Sequence, residues 1–172
     1  EDQLKAALSA LTDNVCLITG LPGTGKTTAL RAVVTLLKDT GISFLLVAPT
    51  GIAAKRLSNV VNAPAFTIHR AFGAKGKYGE SDDREVAYEG FLGDTDTKKT
   101  ASSPTDETWG YGPGNPHPAN VVIVDETSMV DLNMLHRVLS GTKADCRMVF
   151  VGDPYQLPSV GAGDVLGDLV ES

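Results

Sequence analysis

Val15-Cys16-Leu17-Ile18-Thr19-Gly20-Leu21-Pro22-Gly23-Thr24-Gly25-Lys26-Thr27-Thr28 is the stretch from which the fold can be read. An apolar run of strand length enters a glycine-rich turn and leaves it as a helical pattern. From Thr27 to Lys38, Leu30, Val33, Val34 and Leu37 recur at helical spacing, and Gly41 supplies a terminator. Gly20 to Thr27 fits the phosphate-binding loop at every fixed position. Glycines let the backbone curl so that successive N–H groups point inward at phosphate oxygens, and the helix adds its positive N-terminal end. Lys26 is placed to reach the β- and γ-phosphates and the Thr27 hydroxyl to ligate Mg²⁺. The candidate nucleotide set is therefore Gly20, Pro22, Gly23, Thr24, Gly25, Lys26, Thr27 and Thr28. A glycine-rich turn without a ligand is the bland alternative, which the strand–loop–helix order disfavours.

Three more apolar runs lie outward of this one: Phe44 to Val47, Val121 to Val124 and Met148 to Val151. None alternates with polar residues, as expected of strands covered on both faces of a parallel sheet. Gly51 to Val61 and Asp131 to Leu139 read as helices, with Asp131 an N-cap. Strand and helix in alternation predict an α/β fold with right-handed crossovers and helices on both faces of a parallel sheet. Lys75 to Pro118, rich in Gly, Asp, Thr, Ser and Pro, breaks the rhythm and is expected to be an irregular insertion. It reads either as a partly disordered surface loop or as a small subdomain, with Val86 to Tyr88 and Trp109 to Tyr111 able to pair as a hairpin.

A chain of 172 residues suits one domain, and 42% apolar with 21% charged residues is ordinary for a globular protein. No apolar run is long enough to cross a bilayer and the N-terminus lacks a signal-peptide layout, so a cytoplasmic address is expected. The net charge of −6 argues against a simple basic-patch nucleic-acid binder. Cys16 and Cys146 sit in apolar runs and are expected as buried, reduced thiols, a disulfide being the alternative.

The remaining strand ends carry polar signals. After the third run, Val124-Asp125-Glu126 offers one carboxylate to hold Mg²⁺ through its water shell and a second to act as general base. Asp125 takes the first role and Glu126 the second. After the fourth, Gly152-Asp153-Pro154-Tyr155-Gln156-Leu157-Pro158 places Gln156 where an amide can meet a γ-phosphate or its attacking water. After the second, Ala48-Pro49-Thr50-Gly51 opens a helix whose N-terminus is an anion site. All four loops follow the carboxyl ends of strands, the edge where open parallel sheets bind ligands.

Taken in order, Gly20 to Thr28, Ala48 to Leu57, Thr67-Ile68-His69-Arg70, Val124 to Asp131 and Gly152 to Gly161 resemble the motifs of RecD-like helicases. These belong to the 5′→3′ branch of superfamily 1, which also holds the phage helicase Dda. The resemblance implies a RecA-like P-loop NTPase fold, the first motor domain of an enzyme that hydrolyses ATP with Mg²⁺ while stepping along single-stranded DNA. It carries DNA-backbone contacts onto Pro49, Thr50, Gly51, Thr67 and His69, with a helix cap and a structural histidine as the alternative for the last two. It makes Gln3 an adenine-recognising amide, against a surface glutamine on an N-terminal helix. In relatives, a strand-separating subdomain or hairpin occupies the position of the insertion. Trp109, Tyr111 or Phe91 is the candidate stacking residue, against a local apolar cluster.

The family's later motifs, with the arginines that stabilise charge on the transferring phosphate, are not matched. Arg31, Arg56, Arg70 and Arg147 do not stand at their positions. The expectation is a piece that hydrolyses ATP near background and needs a second RecA-like domain of the same protein. Helicase–nuclease or repair partners are named by no residue. A nucleotide-dependent binding switch without translocation is the alternative function, and a small-molecule kinase fits the strand-end set poorly.

Overall fold

The computed structural model describes residues 2–73 and 109–172, with side chains from Lys5 onward. In chain order the elements are α1 (Asp2–Thr12), β1 (Val15–Thr19), α2 (Lys26–Asp39), β2 (Phe44–Ala48), α3 (Gly51–Val61), β3 (Phe66–Thr67) and α4 (Ile68–Ala71). They continue with β4 (Val121–Val124), a 3-10 turn (Thr127–Met129), α5 (Leu132–Ser140), β5 (Arg147–Gly152) and α6 (Val165–Glu171). The sheet is parallel throughout, in the order β1-β5-β4-β2-β3. All four expected strands are present. The fifth, β3, has two residues and is too short to leave a periodic trace.

Side chains alternate across each strand and sort into two cores. Cys16, Ile18, Phe44, Leu46, Val121, Ile123, Val149 and Val151 face α1, α2 and α3, packing on Ala7, Ala10, Leu30, Val33, Leu37 and Leu57. Leu45, Val47, Val122, Val124, Met148 and Phe150 face the other way, onto Ile68, Ala71, Phe72, Val130 and Val138. Both faces are apolar, hence the unbroken apolar runs. Burying each Val, Leu or Phe stabilises by about 1.5–3 kcal/mol relative to exposure, which fixes strand register.

The segment expected as an insertion divides. Of its last ten residues, 109–118, Trp109 and Tyr111 pack on the second core and His117 is fully buried, while Gly110 and residues 113–116 are exposed. Stacking decides this, because the Trp109 ring lies 5.6 Å from His69 with the Arg137 guanidinium 5.3 Å from its centre. The rings of Tyr111 and His117 meet edge-on at 4.7 Å. Val86 to Tyr88 and Phe91 lie outside the described residues. Where residues 73 and 110 meet, the backbones nearly touch. A Cβ on Gly73, whose φ is +74°, would come within 2.9 Å of Gly110 Cα. The Gly110 N–H donates to the Phe72 and Gly73 carbonyls, each at 3.0 Å.

Both cysteines are free thiols. Cys16 is buried, whereas Cys146 falls just before β5 and is half-buried, its thiol pushed up to about 11 chiefly by burial. No helix among the described residues is long and apolar enough to cross a membrane.

Candidate active site

Strand β1 ends at Thr19, and the loop beyond it is held by its own hydrogen bonds. Thr24 Oγ1 donates to the Leu21 carbonyl at 2.8 Å, and the Thr24 N–H reaches the same oxygen at 3.3 Å. A Cβ at Gly20 would stand 2.6 Å from that Thr24 hydroxyl, so the turn requires glycine there. Gly25, left-handed at φ 92°, ends the loop and starts α2, its carbonyl accepting the Thr28 and Ala29 N–H groups at 2.9 and 3.0 Å, while the Lys26 and Thr27 N–H groups stand ahead of any helical acceptor. The Lys26 ammonium donates to the carbonyls of Gly20 and Leu21, which folds it over the loop.

Strand β4 delivers the carboxylates. The Asp125 N–H extends the ladder to the Val47 carbonyl at 2.9 Å, so its position is set by the sheet. Burial raises the Asp125 carboxyl above its ordinary range and the Glu126 carboxylate pushes the same way. The Glu126 N–H, Arg56 and Lys26 oppose them. Glu126 has left-handed backbone angles, φ 53° and ψ 45°, unusual for a residue with a Cβ. Its conformation is held by the turn that follows: Thr127 Oγ1 donates to the Val124 carbonyl and the Met129 N–H to that of Glu126, both at 3.0 Å. Beyond β5, the buried Asp153 accepts the Tyr155 N–H at 3.0 Å and the Gln156 N–H reaches the Asp153 carbonyl at 3.1 Å. This turn sets where Gln156 emerges.

These loops enclose one cavity of about 410 Å³, lined by Pro22, Gly23, Gly25, Lys26, Thr27, Asp125, Glu126 and Gln156 among others. Thr27 and Asp125 supply two hard oxygens to it. No group of three metal-ligating side chains occurs among the described residues. That donor set fits Mg²⁺, which takes one or two protein oxygens and completes its shell with phosphate and water. The under-compensated Asp125 carboxylate fits a cation as well.

The expected strand contacts lie along the same edge. Thr50 caps α3, accepting the Ala53 N–H at 3.2 Å, with Gly51 exposed and Pro49 buried. Thr67 caps α4, accepting the Arg70 N–H at 3.2 Å, and His69 packs on Trp109, the arrangement that the structural alternative describes. Gln3 lies in α1, and its side chain is outside the described residues.

One lining residue was given no role by the motifs. Arg56, on α3, enters the cavity beside Leu57 and Val60, and its guanidinium stands 3.3 Å from Glu126 Oε1. Nothing in the spacing announces this, because the pairing depends on how α3 packs over the sheet.

A family model described as AAA domain matches residues 1–172. The chain belongs to the AAA domain family. Within this AAA domain family its sequence is similar to RecD proteins. It is 34% identical over 194 residues to the RecBCD enzyme subunit RecD of Mycolicibacterium smegmatis, covering 99% of this chain and 30% of that protein. The Haemophilus influenzae RecD subunit is also 34% identical, over 98% of this chain and 26% of that protein. The ATP-dependent RecD2 DNA helicase of Deinococcus radiodurans is 34% identical over 147 residues, 86% of this chain and 16% of its own. The chain thus spans less than a third of the length of these curated relatives. The RecD-like resemblance carried by the motifs is borne out. Among solved structures, a Pif1 helicase from Candida albicans superposes with a TM-score of 0.58 at 22% identity, over 93% of this chain and 33% of that one. Bacteroides Pif1 bound to ssDNA gives 0.54 at 23%, over 99% and 35%. At these identities the likeness is one of fold, and the fold is the RecA-like α/β P-loop architecture.

Proposed function

We propose that this AAA domain is the ATP-binding motor domain of an ATP-dependent DNA helicase that moves along single-stranded DNA. It works against a second RecA-like domain of the same protein. The observation that carries the reading is the gathering of Lys26, Thr27, Asp125, Glu126 and Gln156 from three strand ends around one cavity. The loop amides and Lys26 bind the phosphates, and Thr27 and Asp125 would hold Mg²⁺. That ion, when bound, neutralises charge building on the phosphate oxygens. Glu126 accepts the proton of the attacking water, and Gln156 orients that water. Capped helix starts at Thr50 and Thr67, together with His69, position the strand by its phosphates without reading bases. A cytoplasmic setting follows from this function, and the relatives named as RecBCD enzyme subunits support a place in a multi-subunit assembly.

The test is ATP turnover by the full-length protein, with and without a single-stranded oligonucleotide. Lys26→Ala and Glu126→Gln should each lower DNA-stimulated kcat by about 100-fold or more. Turnover that survives Glu126→Gln unchanged removes the assigned base and the mechanism with it. Tight ATP binding without stimulation by DNA would favour a nucleotide-dependent switch instead.

A further inference from the structure

We propose that Arg56 is a positioning residue that ties the Glu126 carboxylate to helix α3, making that helix the lever by which a bound strand controls ATP turnover. The inference rests on the reading of Glu126 as base and of the α3 start as a strand contact.

Two positions on one helix, its start and its middle, carry the argument. Thr50, the N-cap of α3, stands on the edge where the strand is expected, and Arg56 lies six residues further on. At about 1.5 Å of rise per residue this separation is about 9 Å along the axis, less than two turns. Eleven helical residues, with Ala54, Leu57 and Val61 buried, shift as a unit. The other partner is anchored. Glu126 sits in a left-handed backbone position, braced by the Thr127 hydroxyl and the Met129 N–H. A displacement of α3 therefore changes the Arg56–Glu126 contact rather than carrying both groups along.

The contact is built to be broken. One guanidinium nitrogen meets one carboxylate oxygen at 3.3 Å, without the two-pronged geometry that makes such pairs strong, and the Arg56 side chain is 71% exposed. While the pair is made, Oε1 is directed at α3 instead of at a water beside the terminal phosphate. When α3 moves, the carboxylate is free to turn into the cavity. Both groups already line that cavity, so no refolding is needed.

Full-length protein carrying Arg56→Gln should show DNA-independent turnover raised about fivefold, with KM for ATP little changed and the stimulation by DNA reduced by the same factor. That factor corresponds to about 1 kcal/mol at 1.4 kcal/mol per tenfold. Arg56→Lys should restore part of the stimulation. Because the strand-bound position of α3 requires the pair to be broken, Arg56→Gln should also tighten oligonucleotide binding measured without nucleotide, at fixed salt. Plain loss of a cation would weaken it instead. In a double-mutant cycle on that affinity, Arg56→Gln and Glu126→Gln should be non-additive. An Arg56→Gln variant with basal and stimulated rates equally lowered, or with weaker oligonucleotide binding, overturns the proposal. Because Glu126→Gln is assayed alongside, failure of the base assignment shows separately as turnover retained in that variant.

Discussion

The two faces of the sheet are built by different means. One is covered by α1, α2 and α3, each long enough to repeat its apolar spacing, over an interior of Ala, Val, Leu and Ile with Phe44 and Cys16. The other is covered by a four-residue helix, a nine-residue helix and the irregular run from Trp109 to Ala119. There the covering works through particular rings: Phe72, Trp109, Tyr111 and His117. The first face tolerates exchange among aliphatic residues of similar volume. The second depends on specific partners, and polar groups inside it must keep their hydrogen bonds.

Truncation on either face measures the contrast most directly. Phe72→Ala should cost about 3–5 kcal/mol and Leu37→Ala about 2–5 kcal/mol in urea unfolding, since both side chains are fully buried. Leu37→Met should recover nearly all of the loss, whereas Phe72→Leu should recover less, because it abandons the His117 ring. Equal recovery on both faces would erase the distinction.

Acid sharpens it next. Burial, seconded by Lys143, pushes the His117 imidazole down to about 4, and its Nδ1 accepts the Ala119 N–H at 3.1 Å. The unfolded chain takes up this proton near the ordinary value of 6.5 and the folded one only near 4. The stability contributed by the neutral ring is therefore complete above 6.5 and declines as pH falls between those values. From pH 7 to pH 5 the loss is about 2 kcal/mol. His117→Asn, whose Oδ1 can take the same N–H, should be less stable at pH 7 but lack this slope. An unchanged slope would exonerate the histidine.

Caps give the smallest effects. Thr50→Ala and Thr67→Ala should each destabilise by about 1 kcal/mol, one at either face, seen as a small drop in Tm. If strand binding falls far more than this predicts, the hydroxyls do more than cap.

The same contrast explains what was legible beforehand. Helices α2 and α3 were readable because Leu30, Val33, Leu37, Ala54 and Leu57 repeat at a period the backbone imposes. The cavity was readable because phosphate chemistry dictates residue types: Gly25, Lys26 and Thr27 in one loop, Asp125 and Glu126 at one strand end. For Trp109 and Tyr111 a local apolar cluster was among the readings, but their partners were not legible, since nothing periodic marks a ring that packs across the chain onto His69 or His117. His117 itself sits between two prolines and looks like loop. Arg56 escaped for a related reason, its partner Glu126 being seventy positions away.

The meeting of Gly73 with Gly110 has a consequence of its own. Chain departs and returns there through a single doorway, stitched by bonds from Gly110 to Phe72 and Gly73. The doorway thus acts as a clasp: the bonds from Gly110 keep Trp109 and Tyr111 against the Phe72 side of the sheet through contacts of their own.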